Sequence, residues 1–410
     1  MSSASTDSQG GAEAERLQTR AVRVISAATG ITSLAMTLWF PFLPLFMLQV
    51  GATDAADAIF WVAVAQSVQG VMRLVSGPLW GMLADRQGRK KMFVRTLYSA
   101  ALTTFVLSAI GAPWQASIAL GLHGLLSGFV PAAIALTSVT VPDGKMKNAL
   151  SLVSGSQYLG SAIGPMIGAA LVIVLGYRGA ILSSGLMVIV VATIVVYLVP
   201  ADTIKKKVEA GEGADGAALE PFKFTLQLAL ATFIYFMLFA LNTFRGVATP
   251  IALQGIAGED VTHVTGIAFG LGGIASALGI WLLSWRMFKG HKLGSTLLMT
   301  TLLLAASHFL LAHADSVVLF VLWFTVISLL NAAMSPVTNM LIAFNVSRAR
   351  RGTGFGIASS AQAVAFMAGP MAAAWFATTS LQTGFAILGG MLVGLAILIR
   401  LVLKEPSAKE

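Results

Sequence analysis

The chain is predicted to be an all-α polytopic membrane protein, with twelve transmembrane helices arranged as two pseudo-symmetric six-helix bundles. Three observations carry this reading. Of 410 residues, 57% are hydrophobic and 10% are charged, with a mean hydropathy of +0.83. A soluble domain carries roughly 25% charged residues, so this chain cannot cover a water-facing surface. Apolar stretches of about 20 residues, the length that spans ~30 Å of hydrocarbon, recur from end to end. The second half of the chain also repeats features of the first. Composition excludes soluble enzymes, nucleic-acid binders and secreted disulfide scaffolds. The lack of cysteine excludes thiol catalysis, Cys-ligated metals and disulfides.

Apolar runs interrupted by charge or Gly/Pro turns place the spans at 22–50, 57–83, 92–111, 115–141, 148–176 and 180–200. The second set runs 224–254, 263–285, 294–313, 317–344, 353–378 and 383–403. Strands of a β-barrel would alternate over short segments, and these runs do not. Residues 1–19 are small and polar and lack a signal-peptide core, so they read as a disordered cytoplasmic tail. Residues 201–223, charged and Gly/Ala-rich, read as a cytoplasmic linker between bundles at 20–200 and 224–403, with a short tail at 404–410.

The net charge of +9 has a topological origin. Arg16, Arg20 and Arg23 precede span 1, and Arg86, Arg89, Lys90, Lys91 and Arg95 follow span 2. Lys145 and Lys147 follow span 4, and Lys205, Lys206, Lys207 and Lys223 occupy the linker. Arg286, Lys289 and Lys292 follow span 8, and Arg348, Arg350 and Arg351 follow span 10. All lie on one side of a twelve-span path, with Arg178 alone on the other. The positive-inside rule therefore predicts that both termini are cytoplasmic, and the expected location is the cytoplasmic (inner) membrane. No nucleic-acid partner is needed to explain the charge.

Shifting the chain by half its length exposes the repeat. The stretch SGSQYLGSAIGPMIGAA (154–170) meets SSAQAVAFMAGPMAAAW (359–375), so that Ser154 falls on Ser359, Gln157 on Gln362 and Gly164-Pro165 on Gly369-Pro370. The same shift carries Pro131 onto Pro336. Two parallel halves with a site between them at mid-membrane is a transporter plan.

The segment after span 2 runs Gly77, Gly81, Asp85, Arg86, Gly88, Arg89, Lys90, Lys91. It resembles motif A of the major facilitator superfamily, G-x-x-x-D-R-x-G-R-[RK]. Gly81 would let another helix approach, Asp85 would meet a helix N-terminus or a cation, and Gly88 would make the turn. In span 5, Gly160, Gly164, Pro165 and Gly168 resemble motif C of the proton-driven drug antiporters in that family. Ser151 and Ala169 depart from two of its glycines. With GLLSGFVP (124–131), the chain resembles MdtG-type multidrug exporters along essentially its whole length. Motif B of the family puts an arginine in span 4, where this chain has Gly124 beside His123.

None of the 17 acidic residues falls mid-span. Two arginines do. Arg73 lies ten residues before Leu83, about 15 Å deep, and Arg245 lies past the middle of span 7 beside Asn242. A central arginine costs roughly 2.5–3.5 kcal/mol on insertion scales, so it normally faces protein or a water-filled cavity. Arg73, Gly77 and Gly81 share one helix face, expected to look toward the other half. Gln66, Asn242, Gln157, Asn331 and Gln362 are candidates for the same cavity, with Trp39, Phe40, Phe236 and Phe244 as an aromatic wall. Each has a packing role as its alternative. His123 is the candidate proton carrier.

The function expected from the resemblance is secondary active export of a small drug or metabolite by alternating access, with proton-driven antiport implied by the family's pattern. Two arginines without a buried carboxylate favour an anionic or zwitterionic substrate. An organic-anion uptake symporter or uniporter is the alternative, and a transporter-like receptor a remote one. Neither an ATP-binding motif nor a His/Asp/Glu cluster for an enzyme is present. No cofactor or metal is expected; the expected partners are the substrate, protons and the bilayer, around a monomer.

Overall fold

The structure, a computed structural model, describes residues 3–200, 224–258, 261–280, 293–346 and 351–403. The first span is α1 (Ser3–Trp39), a 3-10 turn (Phe40–Phe42) and α2 (Leu43–Gln49). Pro41 and Pro44 lack the backbone donors that would continue one helix. The apolar crossing begins at Arg16. The polar turns before it stand where the composition predicted a disordered tail; their Ala and Glu residues are good helix formers. Next come α3 (Ala55–Gln87) and α4 (Arg89–Ser108), joined by Gly88 at φ 99°, which fits the turn expected of it.

Span 4 departs from the expected single helix. It is α5 (Gln115–Leu126) and α6 (Phe129–Thr140), broken at Gly128 with φ 154°. Spans 5 and 6 form one long element, α7 (Asp143–Leu198), which turns at Gly176 with φ 70°. The second set is α8 (Leu226–Ala257), α9 (Val261–Leu278), α10 (Leu293–Ala312), α11 (Val317–Phe344), α12 (Arg351–Ala377) and α13 (Leu381–Val402). Among the described residues, nine helices are long and apolar enough to cross a membrane. One of them carries spans 5 and 6 together, and α4 and α12 stand where spans 3 and 11 were expected. The result is an all-α, multi-pass membrane protein. The central segment 201–223 and the tail 404–410 lie outside the described residues.

The main packing of the first set is α1 against α7. A β-carbon on Gly160 would land on the Gly30 backbone, one on Gly164 on Thr37 and the Leu34 carbonyl, and one on Gly168 on the Leu38 carbonyl. Small residues at every fourth position thus ride along a matching i, i+4, i+8 row of α1, as close helix packing in a membrane requires. The second set repeats this contact. A β-carbon on Gly369 of α12 would meet Thr243, the Ala240 carbonyl and the Phe244 amide of α8. Gly369 is Gly164 shifted by 205, and the α8 residues are Leu34, Thr37 and Leu38 shifted by 206. The internal repeat is a repeat of packing.

Candidate functional site

Among the described residues the sets meet most extensively along two seams. Along α7 and α9, glycines 266, 270 and 273 lie against Ala169, Met166 and Ala162. The motif C departure at Ala169 is thereby accommodated: its methyl occupies the space that Gly266 leaves open. Nearby, the Tyr177 and Thr262 hydroxyls are 3.1 Å apart. Along α3 and α12, Gly70 lies against Met367, and the Arg73 guanidinium is 5.9 Å from the centre of the Phe366 ring. Arg73 therefore faces the other set, as its helix face predicted. It is exposed, and its guanidinium makes no hydrogen bond among the described residues.

Arg245 is held differently. Its side chain is 3% exposed, and it donates to Ser328 Oγ and Asn242 Oδ1, both at 3.2 Å. Its guanidinium also lies 5.1 Å from the Phe324 ring centre. The structure thus unites Arg245 with Asn242 but describes no contact between Arg245 and Arg73. In the repeat register Arg245 is the equivalent of Trp39, since Trp39 shifted by 206 is Arg245. Beside them, a β-carbon on Gly246 would stand 3.3 Å from Phe40 Cε1.

The remaining candidates divide by burial. Trp39 and Gln66 are buried, and Trp39 Nε1 and both Gln66 amide atoms lack partners among the described residues. Asn331 is half-buried with Oδ1 unmatched, Gln157 and Gln362 are half-buried, and Asn242 is exposed. Of the aromatic wall, Phe244 is core, packed edge-on to Phe385 at 5.5 Å; Phe40 and Phe236 are half-buried. His123 is buried, its Nδ1 2.9 Å from Thr103 Oγ1. No group of three metal-binding side chains occurs among the described residues.

Around motif A the backbone continues α3, while the side chains of Gly77, Gly81, Asp85 and Arg86 lie outside the described part. Arg89 donates to the Ala135 carbonyl at 3.0 Å and to Ser138 Oγ at 2.9 Å, tying the turn to α6. The break after α5 leaves carbonyls without helical donors. Ser76 Oγ donates to Gly124 O (3.1 Å), Trp80 Nε1 to Leu125 O (2.6 Å) and Arg95 to Leu126 O (3.0 Å). The Arg95 guanidinium lies 3.5 Å from the centre of the Trp80 ring. Gly124 itself packs backbone to backbone on Gln69. The motif B position thus has no room for an arginine. On the opposite loops Arg178 closes the end of α4, donating to Ser108 O and Ile110 O at 2.7 and 2.6 Å.

Sequence reasoning missed His308, Ser328, Phe324 and Phe366. The repeat held a signal for two of them: shifted by 205, Thr103 and His123 become His308 and Ser328.

The profile of the Major Facilitator Superfamily matches residues 25–328 and 290–410. The chain is 29% identical over 361 residues to the multidrug resistance protein MdtG of Proteus mirabilis (strain HI4320), covering 85% of this chain and 86% of that protein. It is similar in structure to the human organic anion transporter MFSD10 (TETRAN), with a TM-score of 0.68, 19% identity, and coverage of 93% and 99%. The nucleoside transporter NupG matches with a TM-score of 0.70 at 16% identity, over 93% of this chain and all of that one. Motifs, repeated packing and these likenesses agree: the chain belongs to the major facilitator superfamily of membrane transporters.

Proposed function

We propose that the protein exports small organic molecules, anionic or zwitterionic ones preferentially, by alternating access between bundles at 20–200 and 224–403 joined by 201–223. The observation that carries the charge preference is Arg73, exposed at the α3–α12 seam with its guanidinium over the Phe366 ring and no ion pair among the described residues. In low dielectric an uncompensated guanidinium repels a lipophilic cation and pairs bidentately with a carboxylate or phosphate. Export is supported by relatives named for multidrug resistance, and anion transport by the organic anion transporter of like fold. Proposed site residues are Arg73, Arg245, Asn242, Gln66, Gln157, Asn331, Gln362 and Trp39. Gly77, Gly81, Asp85, Arg86, Gly88 and Arg89 act in gating, and Gly160, Gly164, Pro165 and Gly168 in packing.

In this reading both termini are cytoplasmic, the protein works as a monomer, and proton antiport supplies energy through His123. A second reading, proton symport or uniport of an organic anion, is favoured by one observation: the charged side chains described toward mid-span, Arg73 and Arg245, are both cations. Uptake into everted vesicles under an imposed pH gradient tests both. Anion accumulation that falls with Arg73→Lys and vanishes with Arg73→Ala supports the charge reading. Transport of ethidium-like cations with anions ignored overturns it.

A further inference from the structure

Beyond Arg73, the α3–α12 seam continues into a run of aromatic rings. The Arg73 guanidinium lies 5.9 Å from the centre of the Phe366 ring on α12. The Phe366 ring is 6.4 Å from that of Phe239 on α8, and Phe239 is 4.8 Å from Tyr235. Both ring spacings fall in the roughly 4.5–7 Å range over which aromatic side chains attract. Tyr235 and Phe239 are one turn apart on one face of α8, and α8 packs on α12. All three rings are half-buried, while Arg73 is exposed. Leu226 of α8 and Gln87 of α3 lie on the same side of the membrane, and Phe239 and Arg73 both stand about 20 Å along their helices from those ends. One cation thus stands, deep in the span, at the end of a row of three rings.

The repeat shows that helix packing did not require these rings. In the packing register, Tyr235 and Phe239 of α8 are equivalent to Thr29 and Ser33 of α1, and Phe366 of α12 to Ser161 of α7. The first set therefore makes the same helix contact with small hydroxyl side chains at all three positions. The rings belong to the second set and the cation to the first, and they meet across the seam between the two sets. Half-buried rings that the helix contact does not need are surface for a ligand.

We propose that the substrate recognised at this seam is an aryl anion. Its carboxylate, sulfonate or phosphate pairs with Arg73, and its aromatic ring lies against Phe366, Phe239 and Tyr235. This rests on the anionic-substrate reading and adds that the ring is selected as a ring. A guanidinium holds an oxyanion through its edge and an aromatic ring through its face, so Arg73 engages the anion while staying over Phe366. Aromatic pairs attract beyond the area they bury, by about two- to tenfold in affinity per pair. A saturated ring of the same size gains only the burial.

The test is calorimetry on the full-length protein in lipid nanodiscs, with empty nanodiscs as the blank. The probes are two pairs: benzoate with cyclohexanecarboxylate, and 2-naphthoate with decalin-2-carboxylate. Within each pair the charge and carbon count are the same, and the saturated ring is at least as hydrophobic. Burial alone therefore gives no preference for the aryl member. The expected result is tighter binding of each aryl anion than of its saturated partner, by about three- to tenfold. Phe366→Leu and Phe239→Leu should each cut that ratio to below about two. Phe239→Met serves where a leucine variant fails to fold. Phe309→Leu, at a partly exposed ring of α10, should keep the ratio. Equal binding within the pairs overturns the inference and leaves the anionic reading standing, as does a preference that survives at both positions. Failure of all four anions to bind, beside binding of ethidium, overturns the anionic reading and the inference with it.

Discussion

Phe40 and Gly246 touch across the middle of the molecule, and they hold the same place in the two repeats. A β-carbon on Gly246 would stand 3.3 Å from Phe40 Cε1, and 40 shifted by the packing register of 206 is 246. Equivalent residues can meet only on the axis that relates the repeats, so this contact marks the axis. Trp39 and Arg245, one residue earlier in each half, flank it.

A large side chain at this contact should wedge the halves. Alanine at 246 needs only a small shift of the Phe40 ring and should transport nearly as wild type. Gly246→Trp should fold and lose transport. The chain has no cysteine, so Thr262→Cys gives a single reporter beside the Tyr177 contact. Its labelling by a water-soluble maleimide should rise several-fold in Gly246→Trp. Unchanged labelling would mean the contact does not control closure.

The seam at Ala169 and Gly266 predicts compensation. Gly266→Ala puts two methyl groups in one space and should destabilise by about 1–3 kcal/mol, the usual range for overpacking. Ala169→Gly in the same chain should restore most of the loss. The check is a double-mutant cycle of melting in detergent; strictly additive effects would contradict the shared space.

Restoring the family's arginine should harm this protein. Because Gly124 packs on the Gln69 backbone, Gly124→Arg should force α5 from α3 and cut folded yield sharply in size-exclusion profiles. A well-folded, transport-competent Gly124→Arg protein would show that the position has room after all.

The break in span 4 depends on side chains from its neighbours. Trp80→Phe and Arg95→Met each leave a carbonyl of the α5 end unmatched, at about 1–3 kcal/mol. Both should lower the melting temperature, and Arg95→Met more, because it also removes the cation stacked on Trp80. Equal melting to wild type would mean that lipid or water replaces these donors.

The sequence by itself determined the class of fold, because hydrocarbon tolerates only backbone that satisfies its own hydrogen bonds. Long apolar runs such as 317–344 could therefore be read to the residue. Repeated glycines announced the repeat, and motif A announced the family. Tertiary structure decided what distance along the chain hides. Arg73 and Arg245 looked alike in sequence, as lone arginines in apolar helices. One lies exposed against Phe366 at a seam, while the other is enclosed by Ser328, Asn242 and Phe324. The difference comes from neighbours contributed by other helices, which no local pattern encodes. His308 escaped for the same reason: its Nε2 is buried and unmatched, and an unmatched atom exists only once its surroundings are built.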